Sequence, residues 1–282
     1  EVLCVIYDRH EVFGATCSDP SHDHMDAAGG VVGGAHLMGC GPECADAHLP
    51  EIVVSLEAAD GEGGANLIGT VQGYVNPGPA ANSPVQLLPL PNFRIDFVGV
   101  GTVFTDANGN FNVPSSLTAP IQVNAPIRGR HVSSMSNDAG AVVTLTGTIT
   151  PGTQSTLTLL TPSANENDLA HTNVYWGMDD VNEYLRAVLA PAPAQLNTLS
   201  QMSAVVNIND NCNAFYSGNR INFFTSGGGC NNTAHAGVIY HEWGHGMDDA
   251  FGGISQVDGL SEAWGAIIAT SRSDIPAVGP GF

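Results

Sequence analysis

His241, Glu242 and His245 stand in the string His-Glu-Trp-Gly-His at 241–245. Residues four apart lie on one face of a helix, so the two imidazoles can aim at a single ion. Nitrogen ligands of this kind suit zinc, which leaves an open position when three protein groups hold it. Glu242, next to the first ligand, then reaches that open side as a proton acceptor. The chemistry implied is hydrolysis, with a metal to polarise and a carboxylate to move the proton. Tyr240 and Trp243 on the same helix read as core or wall rather than as catalytic groups.

Seventeen positions after His245 comes Glu262, in a segment that reads as a second helix. Asp258 or Ser261 is the expected cap, and Leu260, Trp264, Ile267 and Ile268 form the expected apolar stripe. A carboxylate in its first turn is a suitable third ligand. On these residues the sequence resembles the thermolysin and fungalysin group of zinc metalloproteases, the gluzincins. The other large group with this motif needs a third His six residues further on; here Gly246, Met247, Asp248, Asp249, Ala250 and Phe251 follow instead. The resemblance implies Zn2+ held by His241, His245 and Glu262, with Glu242 as general base. It matches Asp249 to an acidic position of the family's outer shell, which orients the imidazoles. Ala266 and Ser261 depart from the family pattern, standing where relatives often carry Asp and Asn or Gly. The family also has a C-terminal subdomain that stabilises the oxyanion and walls the cleft. Twenty residues follow Glu262, so the peptidase domain is expected to be truncated.

Upstream, Asn213, Ala214, Phe215 and Tyr216, followed by Ile221–Phe224, resemble the strand that edges the family's substrate cleft. An edge strand offers unpaired backbone groups to an extended peptide. The resemblance implies that Asn213, Ala214 and Phe215 hold substrate. The plainer reading is a hairpin turning at Ser217, Gly218 and Asn219; the position shortly before the His-Glu motif favours the substrate edge. Cys212 and Cys230 flank this hairpin, and its strands would bring them together as a disulfide.

Twenty-seven acidic residues against seven Arg and Lys give a formal charge of −20. That balance opposes binding to nucleic acid or to anionic membranes. It suits an extracellular protein facing salt or divalent cations, with Ca2+ a further candidate ligand. No apolar run approaches the length of a membrane span. Six cysteines fit an oxidising compartment and a secreted, processed product. Cys4, Cys17, Cys40 and Cys44 fit two disulfides better than a structural metal site. Their pairing is open among three arrangements.

The expected fold is α+β and multidomain. Residues 1–64 form a Cys- and His-containing segment with one strand candidate at 52–56. Residues 65–162 read as a β-sandwich resembling transthyretin-like and carboxypeptidase-regulatory modules. Strands are expected at 67–75, 93–98, 102–104, 109–113, 121–124 and 141–150. Asp106, Asn108, Gly109 and Asn110 signal a hairpin turn, and also resemble half a calcium loop. Residues 163–282 read as the peptidase domain. It opens with an amphipathic helix over 164–189, whose His171 reads as packing, and a strand over 203–208. The metal helix follows, capped by Asn231, Asn232 or Thr233 and stopped at Gly252 and Gly253.

The leading expectation is therefore a secreted zinc endopeptidase acting on protein or peptide. A filament-forming surface protein that retains a protease-like zinc domain, with self-association, is the second. An adhesive module with a vestigial zinc site is the third.

Overall fold

The computed structural model describes residues 3–5, 37–39, 64–254 and 259–281. The pairing of Cys4, Cys17, Cys40 and Cys44, the strand expected at 52–56 and the cap Asp258 lie outside the described residues. The chain divides into two compact units, Glu1–Glu57 and Ala58–Phe282. In the first, β1 (Leu3–Val5) and β2 (Leu37–Gly39) pair antiparallel.

The second unit is mixed α and β. Strand β3 (Leu67–Val75) alternates buried and half-buried residues along its whole length, as a strand with one face on a core must. Leu67, Val71 and Val75 are fully buried. Around it lie β4 (Gln86–Pro89) and β7 (Asn110–Val113), both antiparallel, and β11 (Gln154–Leu159), parallel. Two further ladders pair β5 (Arg94–Phe97) with β6 (Gly101–Phe104), and β8 (Ile121–Pro126) with β10 (Thr144–Ile149). The turn before β7 forms as expected, with Asp106 accepting the Asn108 and Asn110 amides and Gly109 at φ 74°. It does not join a hairpin, however. β6 pairs with β5 and β7 with β3, so tertiary partners override the local signal.

Helix α1 (Glu166–Val188) starts at Asn165, whose side chain accepts the Asp168 amide. One face meets the strands: the Thr172 hydroxyl donates to the Tyr74 carbonyl at 2.6 Å and Tyr175 donates to the Pro91 carbonyl at 2.7 Å. Tyr175 and Phe93 also meet edge to face at 5.5 Å. His171 is buried, with Nδ1 3.1 Å from the Asn167 carbonyl. After the short α2 (Gln195–Leu199), β12 (Ser203–Ile208) enters a second sheet ordered β13 (Ala214–Tyr216), β14 (Arg220–Phe224), β12, β9 (Ser134–Asn137). Strand β9 lies within the stretch expected to be a separate sandwich. It pairs parallel with β12, in the stretch expected to be peptidase. The border near 162 is therefore crossed by a sheet, and both stretches share one compact unit.

The last two helices are α3 (Ala236–Ala250) and α4 (Leu260–Ser273). Helix α3 is entered through His235 without a side-chain cap. Thr233, an expected cap, instead accepts the Phe224 amide and donates to the Asn213 carbonyl, stitching the hairpin. Helix α4 begins at Gly259 in the left-handed region, φ 66°, again with no side-chain cap. Its buried face is Ser261, Gly265, Ile268 and Ala269, whereas Leu260 and Ile267 are about half exposed. The buried face is turned by one residue, about 100°, from the expected stripe, with Ile268 common to both, because the small residues allow a close approach to α3. An added Cβ on Gly244 would sit 2.9 Å from the Gly265 Cα.

Candidate metal centre

His241 and His245 project from the middle of α3, and Glu262 from the first turn of α4. Their ligand atoms lie within 4.8 Å of one another. His241 Nε2 is 3.1 Å from His245 Nε2 and 3.1 Å from Glu262 Oε2; His245 Nε2 is 3.6 Å from Glu262 Oε1. A tetrahedral ion with bonds of about 2.0–2.1 Å spaces its ligand atoms about 3.3 Å apart. The three observed separations bracket that value. Burial, then the neighbouring His245, lowers the pKa of His241 and favours the neutral ring that binds metal. Two imidazoles and a carboxylate form the donor set of a catalytic zinc site. The residues present fit the ion.

Each imidazole has a second nitrogen. His245 Nδ1 meets the buried Ser261 hydroxyl at 3.0 Å. With Nε2 committed to a metal, Nδ1 carries the ring proton and Ser261 accepts it. His241 Nδ1 is buried and has no hydrogen-bond partner among the described residues. Among the described residues Asp249 bonds neither imidazole; its Oδ2 accepts the Tyr216 hydroxyl at 2.7 Å. The sequence offered Ser261 as an alternative to Asp258 for the helix cap and as a departure from the family pattern, and did not assign it this contact. The usable signal was a hydroxyl adjacent to the third ligand on the same helix.

Glu242 points from α3 toward the edge strand and is 5% exposed. Its pKa is pushed up to about 8, first by burial and then by the Glu262 carboxylate; the Tyr216 backbone amide donates to it and pulls the other way. That bond orients β13. Its partner β14 lies on one side, and the Tyr216 N–H faces Glu242 on the other. Among the described residues no strand lies beyond β13 in its sheet.

The hairpin is fixed at both ends. Gly218 and Asn219 take positive φ in the turn, where Ser217 donates to Arg220, a geometry that matches strand twist. Cys212 and Cys230 form a disulfide at its base. Asn213, Ala214 and Phe215 line a cleft of about 870 Å³ together with His241, Glu242, His245 and Glu262. Ala214 is buried, while Asn213 and Phe215 are exposed to the cleft. Tyr216, the next residue of the expected edge strand, lines it too, as do Asp248, Val278 and Gly279, which were not among the sequence candidates. The arrangement brings three metal-binding groups, a buried carboxyl and an unpaired strand edge to one concavity.

No protein-family model matches the chain, and no curated protein does.

Proposed function

We propose that this chain is a zinc endopeptidase of the gluzincin type, acting on extended peptide segments outside the cell. The observation that carries the reading is the convergence of His241, His245 and Glu262 beside buried Glu242, in a cleft edged by β13. Zinc held there would supply Lewis acidity to a water and to the scissile carbonyl. The remaining work falls to the chain's own residues. β13 accepts the substrate as an added strand, with Asn213, Ala214 and Phe215 beside it. Glu242, buried beside the three ligands, would take the proton from the attacking water and return it to the leaving amine. His241, His245 and Glu262 hold the ion and transfer no proton.

The Cys212–Cys230 disulfide supports an extracellular setting, and no described helix is long and apolar enough to cross a membrane. The strands between 65 and 162 are proposed to act as a β-sandwich support fused to the peptidase part through β9.

The test is Glu242→Gln. Elemental analysis should find zinc retained, because Glu242 is not a ligand, while chelator-sensitive cleavage of casein falls at least ~10²-fold, the lower end for loss of a general base. Near-normal turnover in the variant would rule out the mechanism. Zinc binding with no cleavage by wild type would favour a structural protein that retains the site.

A further inference from the structure

We propose that the cleft selects peptides carrying a basic side chain, and that Asp249 is the residue that selects it. This inference rests on the peptidase reading and names its substrate class. Among the described residues the cleft lining contains the carboxyl groups of Glu242, Asp248, Asp249 and Glu262 and no Arg or Lys. A divalent ion on the three ligands would offset two of these charges, and Asp248 and Asp249 lie outside the ligand set, so the lining stays acidic with the ion bound. The carbonyl end of α3 adds to it, since Asp248 and Asp249 stand in the last turn.

The two aspartates differ in availability. Asp248 is 5% exposed, and its Oδ2 accepts the Ile254 amide where the helix ends. Asp249 is exposed to the cleft, and the Tyr216 hydroxyl holds its Oδ2. Tyr216 itself is pushed up to about 12, by burial first and by that same bond, so the phenol keeps its proton and remains the donor. Asp249 of α3 is thus held beside β13, a strand that has its own reason to meet a peptide. Tyr216 is the last residue of β13, the unpaired edge, and its amide faces Glu242. A chain added along β13 passes Asp249 on its way past the metal-binding groups. The −20 formal charge of the whole molecule favours the approach of cationic over anionic peptides.

The experiment uses the zinc-loaded protein and short fluorogenic peptides in which one position at a time is Lys, Gln or Glu. At one position Lys should exceed Gln by up to about 5-fold in kcat/KM, the upper end for an exposed ion pair. The difference should sit in KM and shrink as salt rises. Fluorescence anisotropy with labelled Lys and Gln peptides on the Glu242→Gln protein should give the same ranking without turnover. Asp249→Asn should bring the Lys:Gln ratio near one, and Asp249→Lys should turn the preference toward Glu, both with zinc content and circular dichroism unchanged. Equal turnover and binding of the three peptides by wild type overturns the inference, as does an unchanged ratio in Asp249→Asn. Charge-ranked binding without cleavage keeps the cation-selective cleft and removes the peptidase reading. Cleavage without charge ranking does the reverse.

Discussion

The two imidazoles of the candidate centre are supported unequally: His245 Nδ1 meets Ser261 Oγ at 3.0 Å, and the buried Nδ1 of His241 meets no partner among the described residues. A ligand ring that donates its second N–H is held in one tautomer and one orientation. Ser261 therefore acts through His245, and its loss is felt in metal affinity before it is felt in the fold. Ser261→Ala is expected to raise the zinc dissociation constant about 10- to 100-fold, the range for loss of such an outer partner. Competition with a chromophoric chelator measures it directly. An unchanged constant would mean that helix packing alone orients the ring. The ligands themselves were legible in the sequence, since the four-residue spacing of the histidines is a property of any helix. Glu262 was legible through the resemblance. Ser261 was not, because a hydroxyl at a helix start serves as cap or as ring partner equally well. Here Gly259, in the left-handed region, occupies the cap position and leaves the hydroxyl to His245.

At the scale of elements, the centre exists because α3 and α4 touch backbone to backbone. Gly265 lies against His241, so that an added Cβ would fall 2.9 Å from the His241 carbonyl oxygen and 3.0 Å from its Nδ1. The far end of the pair is fixed by Asp180 on α1, which accepts two bonds from Arg272 of α4 at 2.6 and 2.7 Å and one from Tyr240 of α3 at 2.7 Å. With that end tied, overpacking at Gly265 must tilt the start of α4, which carries Glu262. Gly265→Ala is expected to cost about 1–3 kcal/mol of stability, as overpacked contacts do, and to weaken zinc binding measured well below the melting temperature. Full zinc affinity in a destabilised variant would show that the close crossing serves packing only. Regular elements with strong periodicity, β3 and β12, were legible to the residue. Strands β4, β9 and β11 and helix α2 were not predicted. β9 reads Ser-Met-Ser-Asn with Met135 its one buried residue, and is made a strand by its partner β12, nearly seventy positions away. α2 spans five residues, too few to show a period.

For the molecule as a whole, the acidic excess reaches the interior where α1 meets the strands. Asp179 is 2% exposed, with the Asn92 side chain donating to its Oδ1 at 3.0 Å. Its pKa is pushed up to about 8, by burial first and further by the nearby charges of Glu183 and Asp180. The folded protein thus holds a proton that the unfolded chain releases near pH 4, so stability from this group is full below pH 4 and is lost as pH rises through about 8. Other groups act in other windows. His131, His171, His235 and His241 have lowered pKa values, so they favour folding as pH rises to about 6.5 and add no slope above it. The raised tyrosines act above pH 9. Among the described groups with shifted pKa values, Asp179 and Glu242 lower stability between pH 7 and 8, and substituting one leaves the other in place. Asp179→Asn keeps an acceptor for Asn92 and removes the titration. In metal-free protein, the fall in unfolding free energy from pH 7 to 8 should be smaller in the variant by about 1 kcal/mol, since one proton is worth about 1.4 kcal/mol per pH unit at most. Denaturant titrations of both proteins at pH 7.0 and 8.0 give the comparison. Parallel slopes would mean that Asp179 is already ionised when folded, and that the Asn92 bond together with Arg130 offsets its burial.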